Sequence, residues 1–350
     1  MSKAAAWLAH YDPGVPPTLE PYPDRTLVDY VAAVAREAPD SPALLFKGAT
    51  VSYGRLNALS DACAAAFAAL GIKRGDRVGL LLPNCPQFFI AQFGAWKLGA
   101  IVAPLNPIYT EHELEGPLRD HGVDTVVTLT RFYQRVKNIQ ARTGVRRVIA
   151  TNIKEYFPPL LRVLFTLFRE AKDGDRITLR PGDHDFAHLL LVNRGRTANA
   201  ALPVPADPAV LLMSGGTTGT PKGVLGTHGA YVMAGQQVRT WNATAVGGAS
   251  DVIFLPLPMF HVYGNAGVQS LTFMSGAAPE KQMRIDLKSI FPFCTSGWLS
   301  IAMYSVGTPL KNVGLTRLTV ASRSARSRGF GTIAIAAPTM TVSACAPTLP

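Results

Sequence analysis

Residues Leu211-Leu212-Met213-Ser214-Gly215-Gly216-Thr217-Thr218-Gly219-Thr220-Pro221-Lys222-Gly223-Val224 decide how this chain is read. An apolar run, Ala209-Val210-Leu211-Leu212-Met213, has the composition of a buried strand and feeds a turn of glycines, hydroxyls and one lysine. Glycines let successive backbone N–H groups turn toward an anion and approach it, and the hydroxyls of Ser214, Thr217, Thr218 and Thr220 add donors. Lys222 places a mobile positive charge at the end of the loop. Together Ser214, Gly215, Gly216, Thr217, Thr218, Gly219, Thr220 and Lys222 form a candidate cradle for the phosphates of ATP. A Walker loop needs Gly-Lys-Ser/Thr in succession, and here Thr220-Pro221 separates Gly219 from Lys222, so a P-loop NTPase is disfavoured. A flexible linker is the other reading of this composition, but linkers seldom follow a buried-strand pattern.

Upstream of the loop, strand-like and helix-like stretches alternate. Residues 43–52 predict a hairpin turning near Gly48, followed by a helix over Tyr53 to Leu70 that Gly71 closes. Strands are expected at 77–82, 101–103 and 125–127, with helices at 87–98 and 111–120 between them. This rhythm predicts an α/β layered, doubly wound domain. The segment Leu255-Pro256-Leu257-Pro258-Met259-Phe260-His261-Val262-Tyr263-Gly264 is a short apolar strand running into an aromatic turn. A lone histidine in such a setting is ordinarily a structural residue.

The loop at 214–222 resembles the signature loop of the adenylate-forming (AMP-binding) superfamily. So do pieces ahead of it, in order: Gly75-Asp76-Arg77-Val78, Leu82-Pro83-Asn84, Gly99-Ala100 and Pro104-Leu105-Asn106-Pro107. The opening Trp7-Leu8 to Pro16, with Pro23-Asp24-Arg25-Thr26-Leu27, is similar to the start of bacterial long-chain fatty acid–CoA ligases. The resemblance implies the N-terminal part of such an enzyme, with ATP, Mg²⁺ and CoA as its reaction partners and a fatty acid as substrate. It implies phosphate binding by Ser214 to Lys222, and it places His261 at the junction of acyl group and adenylate. Lys222 and His261 are therefore the candidate catalytic residues. Aryl- or medium-chain acid ligases are the nearest competitors within the superfamily.

Composition bounds the other classes. The 350 residues are 48% hydrophobic, ample for a sizeable core, and the four cysteines, Cys63, Cys85, Cys294 and Cys345, have neither disulfide-scaffold nor metal-ligand spacing. A reducing, cytoplasmic setting is expected, and the start of the chain lacks the pattern of a secretory signal. The net charge of +11 is concentrated late: residues 281–350 hold eight Lys or Arg against the single acid Asp286, leaving 26 bases and 22 acids in residues 1–280. The nearly balanced body gives no reason to expect a nucleic-acid partner. Residues 154–180 combine Leu, Val and Phe with Arg162, Arg169, Lys172, Arg176 and Arg180. That pattern fits either peripheral contact with a membrane surface or a core-facing amphipathic helix with a solvated basic side.

The resemblance fades past residue 275. The chain contains no Tyr-Gly-x-Thr-Glu, whose glutamate helps hold Mg²⁺ in the family, and no later Ser/Thr-Gly-Asp for the ribose. Residues 287–350 contain no acid. The domain expectation is an N-terminal extension at 1–25, an incomplete adenylation domain at 26–275, and an atypical basic tail at 276–350. The tail reads either as a translated wrong frame or as a basic arm for nucleic acid or anionic lipid. The functional expectation is a long-chain fatty acid–CoA ligase by family, truncated and with little or no activity as written; the alternative is a non-catalytic nucleotide- or membrane-binding remnant.

Overall fold

The computed structural model describes residues 6–213, 222–242, 251–276 and 284–287. Helix α1 (Leu27–Glu37) starts where Thr26 and Asp29 cap each other reciprocally. Strands β1 (Pro42–Phe46) and β2 (Ala49–Ser52) pair antiparallel about Lys47 and Gly48, whose φ angles are 53° and 90°. Positive φ at both turn residues is what a two-residue hairpin of this hand requires, so glycine sits where it is needed. Ser52 caps α2 (Tyr53–Ala69), and Gly71, at φ 79°, lets the chain reverse after it.

The large sheet begins with β3 (Arg77–Leu81), β4 (Ile101–Pro104) and β5 (Thr125–Leu129), three parallel strands that are almost wholly buried. Continuous Val, Ile and Leu is the expected composition of strands covered on both faces. Between them run α3 (Pro86–Lys97) and α4 (Glu111–Asp120), and α5 (Thr130–Ile139) leads to β6 (Arg147–Thr151). The chain steps from β3 to β4 in one direction, then back past β3 to β5 and β6. Right-handed crossovers therefore put α3 on one face and α4 with α5 on the other. The packing follows suit, α2 against α3 and α4 against α5. After α6 (Pro159–Phe168) come β7 (His184–Asp185), α7 (Phe186–Val192), β8 (Pro208–Met213) and β9 (Gly223–Thr227). The order across the sheet is β7-β6-β5-β3-β4-β8-β9, all parallel except β9.

Helix α8 (His228–Trp241) precedes β10 (Val252–Phe254); a π-helical turn, Tyr263–Val268, continues into α9 (Gln269–Gly276), and β11 (Arg284–Asp286) follows. The second sheet has the order β10-β11-β1-β2. Arg284–Asp286, within the stretch expected to be the tail, form an inner strand, and Ile285 and the following Leu287 are fully buried. The rest of residues 276–350, apart from Gly276, lies outside the described residues. The core centres on α3, whose residues are all buried, with Trp96 donating from Nε1 to the Ala209 carbonyl at 2.8 Å. The ring of Trp96 meets Tyr231 and Phe93 edge-on at 5.0 and 5.2 Å. At Gly94 a Cβ would fall 2.6 Å from Cys63 Sγ, so glycine is what lets α2 and α3 approach. Of the two readings of residues 154–180, the core-facing one fails for α6, none of whose residues is buried.

Candidate functional site

Strand β8 runs parallel to β4, with Val102 opposite Val210, so it delivers the chain to the carboxyl edge of the sheet. Open α/β sheets bind ligands at that edge. Strand β9 returns antiparallel, with Leu212 opposite Val224 and Met213 opposite Gly223. Residues 214–222 therefore connect two paired strands of the sheet. Ser214, Gly215, Gly216, Thr217, Thr218, Gly219 and Thr220 lie outside the described residues, as does Pro221; the structure describes the two anchors and Lys222, which is exposed at the foot of β9. Gly223, paired with Met213, lies against the imidazole of His121: a Cβ there would come within 2.8 Å of Nδ1. A side chain at this glycine of the motif would displace His121.

The second candidate segment is held from β3. Asn84, in the turn after that strand, donates from Nδ2 to the carbonyls of Leu255 at 3.1 Å and Leu257 at 2.8 Å, and its Oδ1 accepts from the Met259 N–H at 2.9 Å. Both polar ends of one buried amide are used on neighbouring backbone, which fixes the path of residues 255–259. Leu255, Leu257 and Met259 are buried beneath it. From there the chain enters the π-helical turn, with His261 exposed at its start. Its Nδ1 accepts from the Tyr263 N–H at 3.4 Å, and its carbonyl accepts from the Asn265 N–H at 2.9 Å. Single π turns within helices recur at functional sites.

A chain of buried amides supports that turn. Asn265 donates from Nδ2 to the Met259 carbonyl at 2.8 Å and to Gln92 Oε1 at 3.3 Å, Gln92 donates to Gln269 Oε1 at 2.7 Å, and the Tyr231 hydroxyl donates to Asn265 Oδ1. Burial raises the Tyr231 hydroxyl well above the ordinary tyrosine value, so it remains a donor. At Gly264 a Cβ would meet the Pro258 carbonyl oxygen at 2.6 Å, so only glycine closes this turn. Sequence reading singled out His261, quoted Asn84 only within the resembling Leu82-Pro83-Asn84 and overlooked Asn265 and Gln92; all three position the turn. The available signal was the polarity of Gln92, with Gln87, inside a largely apolar helix.

Strands β3, β4 and β8 are consecutive neighbours, so the carboxyl ends of β3 and β8 lie two strand spacings apart, roughly 10 Å. The anchor of the His261 segment and the root of the Ser214 loop therefore share one edge. A separate cleft of about 150 Å³, lined by Phe46, Asn84, Arg131, Phe132, Phe157 and Phe165 among others, opens on the β5 side of Asn84 and is mainly apolar. Among the described residues no group of three or more His, Cys, Asp or Glu side chains is placed to hold a metal ion. With Tyr-Gly-x-Thr-Glu absent from the sequence, none of the described residues is assigned to Mg²⁺.

The chain matches the AMP-binding enzyme family over residues 31–279. It is 33% identical over 282 residues to a long-chain fatty acid–CoA ligase of Bacillus subtilis, a match covering 79% of this chain and 49% of that protein. To 4-coumarate–CoA ligase 2 of rice, Oryza sativa subsp. japonica, it is 31% identical over 265 residues, covering 75% of this chain and 44% of that one. Among solved structures, a long-chain fatty acid–CoA ligase from Archaeoglobus fulgidus shares the fold with a TM-score of 0.61 at 22% identity, over 79% of this chain and 50% of the other. The chain spans about half the length of the curated relatives it matches. Its parallel sheet, the glycine-rich hairpin at the carboxyl edge and the matched 31–279 region agree: the chain belongs to the AMP-binding enzyme family.

Proposed function

We propose that the chain carries the ATP-binding part of a long-chain fatty acid–CoA ligase. The observation that supports this reading is the β8–β9 ladder, whose strands flank residues 214–222 at the carboxyl edge of the sheet, where open α/β folds bind their ligands. In the reaction of the family, a carboxylate oxygen attacks the α-phosphorus of ATP and the bond to pyrophosphate breaks. The thiol of CoA then displaces AMP to give the thioester. Here the loop N–H groups and hydroxyls would offset charge on the departing phosphates, with Lys222 following their β- and γ-oxygens. His261, exposed on a turn held by Asn84 and Asn265, would orient the carboxylate. The long-chain acid is supported by the name of the Bacillus relative, while the rice relative favours an aryl acid as a second reading.

The family's glutamate for Mg²⁺ and its ribose-binding acid have no counterpart in these 350 residues. These 350 residues are expected to bind ATP, and their part in the reaction is read by exchange and product formation. Equilibrium dialysis with labelled ATP tests the first part: binding by the purified chain, lost in Lys222→Ala, is expected, and a folded chain that binds no ATP removes the phosphate-loop reading. ATP–pyrophosphate exchange and acyl-CoA formation test the second, run separately with palmitate and 4-coumarate. Steady product above the Lys222→Ala background would show that these residues support the reaction, and the acid that gives it would choose between the two readings.

A further inference from the structure

Helix α6 carries Leu160, Val163, Leu164, Leu167 and Phe168 at the spacing i, i+3, i+4, i+7, i+8 that ordinarily marks the core-facing stripe of a helix. All five are exposed, with Leu160, Leu167 and Phe168 at 72%, 69% and 68%. The other side of the helix is the one tied down. The Phe165 ring packs edge-on against Phe157 at 5.4 Å. Thr166 accepts from Lys154 Nζ at 3.1 Å through its hydroxyl and from Arg176 at 3.3 Å through its carbonyl. The apolar face therefore points away from the body of the protein because polar and aromatic contacts hold the opposite one.

The charges around the stripe are of one sign. Arg162, Arg169, Lys172, Arg176 and Arg180 are exposed within or just beyond the helix. The nearby acids are already engaged. Glu170 and Asp175 are buried against Lys154 and Arg131, and Asp173 lies between Arg169 and Arg131. Exposed aliphatic and aromatic side chains rimmed by bases match a surface that is apolar beneath and anionic above. We propose that α6 is a peripheral membrane-docking helix, lying in the plane of an anionic bilayer with Leu160, Val163, Leu164, Leu167 and Phe168 at the acyl boundary. Arg162, Arg169 and Lys172 then face lipid phosphates. This docking goes beyond the ligase reading and does not rest on it.

The test is co-sedimentation of the full chain with vesicles of phosphatidylcholine alone or mixed with phosphatidylglycerol, at low and high salt. The expected result is binding to the mixed vesicles that weakens with salt and falls about tenfold or more in Leu164→Glu/Leu167→Glu. Arg162→Glu/Lys172→Glu is expected to remove the preference for phosphatidylglycerol. Both pairs are exposed, so thermal melts should match the parent chain and show that lost binding is not lost folding. A solvatochromic dye on Leu164→Cys should shift to the blue with mixed vesicles. Equal sedimentation of parent and Leu164→Glu/Leu167→Glu, or no sedimentation of a folded parent, overturns the proposal. So does a parent dimer that Leu164→Glu/Leu167→Glu converts to monomer, since the stripe would then be covered by a second copy.

Discussion

Helices α3 and α6 are both built largely from apolar residues, yet every residue of α3 is buried and none of α6 is. The difference lies in the arrangement of those residues. Phe88, Phe89, Ile90, Phe93 and Trp96 leave α3 with no polar side, so it is stable only when enclosed, and its glutamines must find partners inside. Helix α6 has one continuous stripe and one mixed face, and it can bind the protein through either. The side chosen is set by Phe157, Lys154 and Arg176, none of which belongs to the helix. An apolar helical pattern in a sequence therefore fixes the element and leaves open what its apolar face will meet.

The strongest way to break this comparison is to truncate one residue in each helix. Trp96→Ala removes a fully buried indole and its bond to Ala209, and should cost about 3–5 kcal/mol of unfolding free energy in urea. A loss comparable to that of a surface change would mean that α3 is not enclosed.

A middle-sized effect concerns two titrating groups, one behind each helix. In the turn before α6, burial pushes the Glu155 carboxyl up to about 7 in spite of hydrogen bonds from the Asn152 N–H and the Thr151 hydroxyl. Against Trp96 of α3, burial pulls the His228 imidazole down to about 4. The signs oppose. Glu155 stays protonated in the folded chain while its unfolded counterpart ionises, so its contribution to stability falls as pH rises from about 4.5 to about 7. His228 stays neutral while its unfolded counterpart is protonated, so its contribution falls as pH drops from 6.5 toward 4. Melts across pH 4 to 8 should show the parent varying least. Glu155→Gln should expose the acid-side loss due to His228, and His228→Gln the loss on raising pH due to Glu155. Parallel curves for all three chains would mean that neither group is shifted.

The smallest expected effect sharpens the comparison from the other side. Leu160→Ser on the α6 stripe should change unfolding free energy by no more than about 0.5 kcal/mol, read by the same urea titration, because the side chain already faces water. A penalty of core size would show that the stripe has a partner within the chain.

Much of the fold was legible where the signal is local. Gly48 with Lys47 announced the hairpin, Gly71 ended α2, and the Val, Ile and Leu runs at β3, β4 and β5 read as buried strands. What could not be read is pairing between distant segments. Nothing in Ile285 says that it will sit between Leu44 and Ile253. The Ser214 loop stood out by composition alone, whereas Asn84 looked like an ordinary turn residue after a proline. Its importance appears only once both polar ends of its amide are seen to meet residues 255–259.

The small sheet also dictates an order of assembly. Strands β3 to β6 lie close together in the sequence and are able to pair while the chain is still being synthesised. The hairpin of β1 and β2, made before them, must wait beside them for β11, the last strand described. Until then the edge of β1 presents unpaired N–H and C=O groups to whatever is nearby. Strands made before β3 are thus completed only after β6, and a nascent chain stalled short of Asp286 should expose a site that chaperones hold and aggregates extend.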